Sequence, residues 1–370
     1  MFYQFTEVNQ SSKSWKDVSF FAFSDENYGS TYTMLRYLTY RVMVPIVSIL
    51  GVLGNAASIL ILYKQGLKKS SNILIFALAV ADSMFLVGIN NASLKVYLDI
   101  NFPVYGYYYA EDVAMLLYVT FHLFVLLETV GKVASMILPP LIIVERFIAV
   151  FFPLHFSSVI TSARIKAAVA IIFLLGLPAY FFYIPMTKYF YTLDVVRNAT
   201  AGYILKSDSF AQDAATFGLI SEIYATLCGP MSVCFVILGC VLIAVRIQLQ
   251  VKKRASLSQA HLSTTTSKAN LDLVNRKMKE AKSKRTTKIL LSVCVVYSIT
   301  GSFNFVSDMV LNSQRLGIVL GNIFHWMSII VLCINSAANF LIYVALNRNF
   351  REMYKKLFCT CLLLDTLFID

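Results

Sequence analysis

Charge is what this 370-residue sequence has least of. Asp, Glu, Lys and Arg make up 14% of it and apolar residues 58%, where a soluble chain carries roughly a quarter charged residues. That shortage of polar surface excludes a water-exposed globular fold, and a bilayer is the solvent that suits most of the chain. Cysteine is absent ahead of Cys228, and all seven fall at or after it, so no disulfide framework is expected. A phosphate-binding loop, a metal-ligand cluster and a nucleophile–base motif are all missing, so the chain is not read as an enzyme. The N-terminal region lacks a basic start followed by an apolar core, the pattern of a cleavable signal peptide. The first apolar helix is expected to act as signal anchor instead. The polar–apolar alternation of outer-membrane strands is lacking too, and the apolar runs are too long for it.

Seven long apolar stretches are present, at about 38–64, 72–97, 114–149, 163–186, 216–248, 284–311 and 318–345. Each is near or above the roughly 20 residues that cross the hydrocarbon. Backbone groups in lipid must bond internally, so each stretch reads as a helix. The expected fold is an all-α membrane protein: a seven-transmembrane helix bundle over 38–345, an N-terminal arm over 1–37, and a short interfacial helix and tail over 346–370. The net charge of +12 does not point to nucleic acid, because 22 of the 32 Lys and Arg fall on one set of connections, nine on the other, and Lys132 lies within a span. Positive charge marks the cytoplasmic side, which puts the N-terminus outside, the C-terminus in the cytoplasm and the chain in the plasma membrane. Three glycosylation sequons, at Asn9, Asn91 and Asn198, share the outer side. Each is equally a chance triplet, and Asn91 lies near the membrane. The inner connection over about 249–283 is basic and polar. Its Ser256, Ser258, Ser263, Thr264, Thr265, Thr266 and Ser267 are candidate phosphorylation sites or plain linker.

Within the spans, Asp82 is an ionisable group in an apolar helix, which is expensive unless it faces a polar cavity. Asn55, Ser135, Asn335, Ser336 and Asn339 lie at comparable depths and can complete one polar cluster with it. Glu128 and Lys132 are one turn apart in the third span. They form either an internal ion pair or a polar anchor for a ligand. Further pocket candidates by helix position are Glu222 and Thr226 in the fifth span, Asn304, Phe305 and Asp308 in the sixth, and His325, Trp326 and Ile329 in the seventh. Outer acids such as Asp99, Glu111, Asp194 and Asp208 favour a cationic or peptide ligand. Glu145-Arg146 closes the third span at the membrane surface. After Asn347, Phe350, Met353, Tyr354, Leu357 and Phe358 fall on one helical face and Arg351, Lys355 and Lys356 on the other, the pattern of a helix lying on membrane lipid. Cys359 and Cys361 at its end are candidates for palmitoylation or unmodified thiols.

The order of several short motifs goes further. Gly51, Gly54 and Asn55 fall in the first span, and Leu78-Ala79-Val80-Ala81-Asp82 in the second. Glu145-Arg146-Phe147 with Phe152-Pro153-Leu154 ends the third, Pro230 lies in the fifth, and Asn335-Ser336-Ala337-Ala338-Asn339-Phe340-Leu341-Ile342-Tyr343 in the seventh. In this order the chain resembles the rhodopsin-like G-protein-coupled receptors, and among them a divergent invertebrate peptide and chemosensory branch. The resemblance implies an extracellular peptide or small-molecule ligand and a heterotrimeric G protein as partners. It implies that Glu145 holds Arg146 until activation, with Phe147, Pro153, Leu154, Asn339 and Tyr343 in the same coupling machinery. It implies a sodium ion at Asp82, and it places Glu128 where some relatives bind an amine. The alternatives are a satisfied polar network at Asp82 and a snorkelling pair at Glu145-Arg146.

The sequence also departs from the family. Phe121 stands where the cysteine that ties helix three to the outer loop is expected. Thr300-Gly301-Ser302-Phe303 replaces Cys-Trp-x-Pro, and Phe340 replaces a proline. Leu238 stands for a tyrosine, and Pro139-Pro140 is expected to weaken or bend the third helix. Two other functions compete: a seven-helix transporter or channel using Asp82, Glu128 and Lys132, against which no inverted repeat is visible, and a receptor-like protein that no longer activates G proteins.

Overall fold

The computed structural model describes residues 34–91, 107–108, 111–184, 187–194, 199–206, 214–260, 267–312 and 317–359. Among them, seven helices are long and apolar enough to cross a membrane. Helix α1 spans Met34–Gln65 and opens with a π turn at Leu38–Met43 before Pro45. It stops at Gly66, whose φ of 84° belongs to the left-handed region that glycine tolerates. Helix α2 covers Ser70–Gly88, α3 Glu111–Phe151 and α4 Ser162–Tyr183, whose first turn is capped by the Thr161 hydroxyl accepting from the Arg164 amide at 3.3 Å. Helix α5 has two parts, Ala214–Thr226 and Ser232–Ala260, joined by a π bulge at Leu227–Met231 that contains Pro230 and a non-helical Gly229. Helices α6, Ser267–Asn312, and α7, Gly317–Leu346, complete the bundle. Helix α8, Arg348–Tyr354, follows, capped by Asn347 and continued by a π turn at Lys355–Cys359.

Several boundaries differ from expectation. Helix α3 runs unbroken through Pro139 and Pro140; a proline pair inside a membrane helix is tolerated where neighbouring groups re-satisfy the freed carbonyls. Helices α5 and α6 reach far into the inner connection, so Ser256 and Ser258 lie on α5 and Ser267 opens α6. Ser263 to Thr266 lie outside the described residues, as do Asn9, Asn198, Asp99, Asp208 and Cys361. The connection between α4 and α5 forms a β hairpin that was not anticipated. Strand β2, Thr187–Asp194, pairs antiparallel with β3, Ala199–Lys206, and β3 pairs with the two-residue β1, Tyr107–Tyr108.

The helices pack through small residues, as membrane helices do where lipid supplies no hydrophobic drive between them. A Cβ added at Gly88 would lie 2.2 Å from the Glu128 amide nitrogen, and one at Gly131 would lie 2.4 Å from that of Phe85. Backbone therefore meets backbone between α2 and α3. One apolar core joins Leu74, Leu78, Leu138, Ile142, Val236, Leu290 and Tyr343 from five helices. A smaller cluster of Val44, Phe85, Leu86, Ile89, Ile329 and Cys333 binds α1, α2 and α7. Large apolar side chains such as Leu50, Leu53, Ile171, Leu174, Leu238 and Leu341 point outward, as a lipid-facing surface requires.

Candidate functional site

Three polar assemblies occupy the bundle axis. The middle one centres on Asp82, which is completely buried. Its Oδ1 accepts from the Ser135 hydroxyl at 2.6 Å and its Oδ2 from Asn339 Nδ2 at 2.7 Å, with Ser336 beside the same carboxylate. Asn55 donates to the Ser336 carbonyl at 3.0 Å and leaves its own Oδ1 buried without a hydrogen bond. Helices α1, α2, α3 and α7 thus meet at one point. Asn335 is not part of that shell: its Oδ1 accepts from Thr300 on α6 at 3.0 Å.

A second knot lies between α3, α5 and α6, and nothing in the sequence announced it. The hydroxyls of Ser232 and Tyr297 lie 2.7 Å apart, and each donates to the Met136 carbonyl, at 2.7 and 3.1 Å. The Cys228 carbonyl in the α5 bulge is 3.5 Å from the Tyr297 hydroxyl. The bulge and the proline in it free carbonyls that a straight helix would consume, and Tyr297 takes one. Just outward, Gly301 stands where a large aromatic was expected, and a Cβ there would lie 2.5 Å from Val233 Cγ2.

The third assembly closes one end of α3. Arg146 Nε lies 2.5 Å from Glu145 Oε2, and Nη2 donates to Oε1 at 3.0 Å. Both side chains are buried, Glu145 to 1% exposure. Ser70, the first residue of α2, donates to Glu145 Oε1 at 2.6 Å. Phe147 stacks on Phe151 with centroids 4.3 Å apart, while Pro153 and Leu154 project outward, Leu154 being 91% exposed. Nearby a cavity of about 600 Å³ is lined by Lys69, Asn72, Leu290, Tyr343, Asn347 and Phe350. The Tyr343 hydroxyl is buried without a hydrogen-bond partner.

The residues expected in an outer pocket are brought together only in part. Glu128 and Lys132 do not form an ion pair among the described residues, although i,i+4 spacing allows one. Glu128 is instead in electrostatic range of Cys333 on α7, and Lys132 in range of Cys228 on α5 and His325 on α7. Asn304 is buried and engaged, donating to the Thr300 carbonyl at 2.9 Å and accepting from Ser328 of α7. Trp326 is buried. Ile329 belongs to the apolar cluster with α1 and α2, which makes it a packing residue. Phe305, Glu222 and Thr226 are exposed, and only the backbone of Asp308 is described. Asn91 is 5% exposed in the turn after α2; a buried carboxamide is a poor glycan acceptor, which removes that sequon from the candidates.

The family model described as 7 transmembrane receptor (rhodopsin family) matches residues 54–348. The chain belongs to that family. No curated protein matches it closely enough to narrow the assignment within the family. In this rhodopsin-family receptor the departures noted in the sequence have structural counterparts. Phe340 sits against Gly54, where a Cβ would meet its ring and Cβ atoms at 3.0 Å. Its ring also approaches Tyr354 of α8 at 5.5 Å and Phe350 at 6.2 Å. Phe350 in turn lies 5.8 Å from Tyr343, so α8 is fastened to α7 by aromatic rings. On its outer face Arg348 donates to Glu352 at 2.6 Å, which holds that exposed carboxyl below its ordinary range. Phe121, in place of the usual cysteine, is buried against His122, the rings edge to face at 5.4 Å. Cys228, Cys234, Cys240, Cys294 and Cys333 are free thiols. The receptor is a multi-pass membrane protein.

Proposed function

We propose that this receptor binds an extracellular ligand, peptide or small molecule, and activates a heterotrimeric G protein at its cytoplasmic face. The observation that carries the reading is the buried Glu145–Arg146 pair held by Ser70, set beside a cavity whose wall includes Tyr343. A buried guanidinium with a single carboxylate partner is stable only while that partner stays in place, so the pair has two natural states, held and released. Leu154 offers an apolar contact point on the same face. In this reading the N-terminus is outside and the chain lies in the plasma membrane.

The Asp82 cluster fits a sodium ion. Oxygen donors of the kind a hard cation takes are present in Asp82, Ser135 and Ser336, and the buried Asn55 Oδ1 lacks a donor. A cation there would supply positive charge that keeps Asp82 ionised, and the chain's own part is to orient those oxygens. A transport path through Asp82 is the weaker reading, since the group is sealed from solvent and the sequence carries no inverted repeat.

The test is nucleotide exchange on a panel of G proteins, with receptor-bearing membranes stimulated by tissue extract or a ligand library. Exchange that appears with the wild type and is lost in Arg146→Ala at equal surface expression is the expected result. Exchange unchanged by that substitution would refute the coupling face, and current or solute flux lost in Asp82→Asn would favour transport.

A further inference from the structure

The cavity of about 600 Å³ at the Glu145 end of the bundle has a wall of mixed character. Leu62 of α1, Ile75 of α2, Ile289 of α6 and Phe350 of α8 make it apolar, and Gln65, Asn72 and Asn349 add carboxamides. Among the described residues, Lys69 is the one charged group in the wall, and no carboxylate lines it. Tyr343 belongs to the same wall and its hydroxyl is buried without a hydrogen-bond partner, which is costly until an acceptor reaches it. A cavity of this size and lining suits an occupant that is apolar, carries acceptors and bears negative charge. The chain holds such a segment beside it. Helix α8 borders the cavity at Phe350 and Met353 and is continued to Cys359; residues 360–370 follow and lie outside the described residues. They contain the apolar runs Leu362-Leu363-Leu364 and Leu367-Phe368-Ile369, the acids Asp365 and Asp370, and no basic residue. From Cys359 back to Met353 is about 9 Å at 1.5 Å of helical rise per residue, whereas the chain from Cys359 to Leu367 spans up to about 27 Å when extended.

We propose that this chain's own segment 362–370 docks in the cavity and holds it shut against other partners. Its apolar runs replace water against the wall, its acids are drawn to Lys69, and a backbone carbonyl accepts from the Tyr343 hydroxyl. The charges around the entrance favour the same occupant. Lys64, Lys68 and Lys69 between α1 and α2, and Arg351, Lys355 and Lys356 on α8, are all exposed and attract acids. Lipid would take the apolar residues too, but it offers nothing to Asp365, which stands between the two apolar runs. A short tether keeps the segment at an effective concentration of about 1 mM, so an intrinsic affinity of that order is enough to fill half of the receptors. The docking rests on the cavity and the chain alone. Its consequence, a tail that must leave before a G protein enters, rests on the receptor reading.

The experiment uses the full chain in lipid nanodiscs holding one receptor each. Phe368 is replaced by the photo-crosslinker p-benzoylphenylalanine, and adducts are mapped by mass spectrometry. The expected adducts lie on α1, α2 and α6, at Leu62, Ile75 or Ile289 and their neighbours. Lys69→Glu lowers their yield severalfold, and adding Asp365→Lys with Asp370→Lys restores it. Adducts confined to lipid or to α8 place the segment in the membrane and overturn the inference, as does a yield that Lys69→Glu leaves unchanged. The adducts of the chain altered only at Phe368 stand even where Lys69→Glu fails to fold. Ligand-free nucleotide exchange is the second readout. Phe368→Asp raises it roughly two- to tenfold, the gain from emptying a cavity that is half to nine-tenths filled. On a G protein that the wild type does activate, exchange unchanged by Phe368→Asp overturns the blocking role. Adducts on α1, α2 and α6 without exchange on any G protein, in wild type or variant, overturn the receptor reading alone.

Discussion

Glu145→Gln preserves the size of the side chain and an acceptor for Ser70, and it removes the charge that faces Arg146. In the structure the guanidinium is buried, with Glu145 as its carboxylate at 2.5 Å. Breaking a buried pair by removing one partner costs about 3–5 kcal/mol, because the other charge stays desolvated. On the proposed coupling that penalty falls on the held state only, since a released Arg146 would reach water or a bound G protein. Even one third of the lower figure, about 1 kcal/mol, shifts the two-state balance roughly fivefold, and the whole of it shifts the balance more than a hundredfold. Ser70→Ala is the graded companion. It removes the 2.6 Å hydrogen bond to Glu145 and leaves the ion pair, so its effect is about 1.5 kcal/mol at most once partial exposure is allowed for. The predicted order of ligand-free nucleotide exchange is therefore wild type, then Ser70→Ala, then Glu145→Gln, at matched surface receptor number. Adding Arg146→Ala to Glu145→Gln should abolish the rise. Basal exchange in Glu145→Gln equal to wild type on every G protein, or Ser70→Ala exceeding it, would refute the reasoning.

Tyr297→Phe deletes one hydroxyl from the α3–α5–α6 knot and should lower thermal stability by about 1 kcal/mol, the scale of a hydrogen bond between membrane helices; an unchanged melting temperature would show that the knot holds nothing. Gly131→Ala places a Cβ 2.4 Å from one backbone atom of α2 and 2.7 Å from another. Overpacking of that kind costs about 1–3 kcal/mol, to be seen as reduced melting temperature and surface delivery, and a variant as stable as wild type would contradict the close approach. For Asp82, the wild type should melt higher in sodium chloride than in N-methylglucamine chloride, and Asp82→Asn should show no difference; a wild type indifferent to the cation sinks the sodium reading.

The seven spans were legible because lipid allows little besides helices, and hydropathy reports that constraint directly. Most of the Asp82 cluster was legible for the same reason, as polar residues at matching depth have few other places to go, whereas Asn335 bonds Thr300 on α6 instead. The hairpin was missed although its signal was present: Lys188-Tyr189-Phe190-Tyr191-Thr192 is rich in aromatic and β-branched residues, yet it read as an outer loop once the helices had been assigned. Ser70 was hidden because a serine at a helix start reads first as a cap. Its hydroxyl instead crosses to α3, a tertiary fact that local sequence does not encode. For Glu128 and Lys132 the spacing left two roles open, an internal ion pair and a ligand anchor, and it does not choose between them. Residues four apart share a face, but their side chains follow whatever that face meets, which local spacing does not encode. Ile329 shows the same limit, since its depth suited a pocket and its azimuth put it in the α1–α2–α7 cluster.

The loss of the large aromatic on α6 bears on how a ligand moves α6. Gly301 cannot act as a side-chain lever; it lets α6 approach Val233. The link that remains is Tyr297, one turn inward, bonded to Ser232 and to the carbonyl of Met136. Met136 is the residue four after Lys132, so the two share one turn and one face of α3. A ligand that contacts Lys132 would therefore load the same turn whose carbonyl anchors α6, and α6 continues to Leu290 in the wall of the cavity beside Tyr343. If that turn is the connection, Lys132→Met and Tyr297→Phe act on one element and their effects cannot add. A double-mutant cycle on ligand-stimulated nucleotide exchange should give a coupling above about 0.5 kcal/mol, beyond the scatter of independent sites. Additive effects would mean that the ligand reaches α6 by another route, through the Asn304–Ser328 contact between α6 and α7, and Ser328→Ala would then carry the coupling in place of Tyr297→Phe.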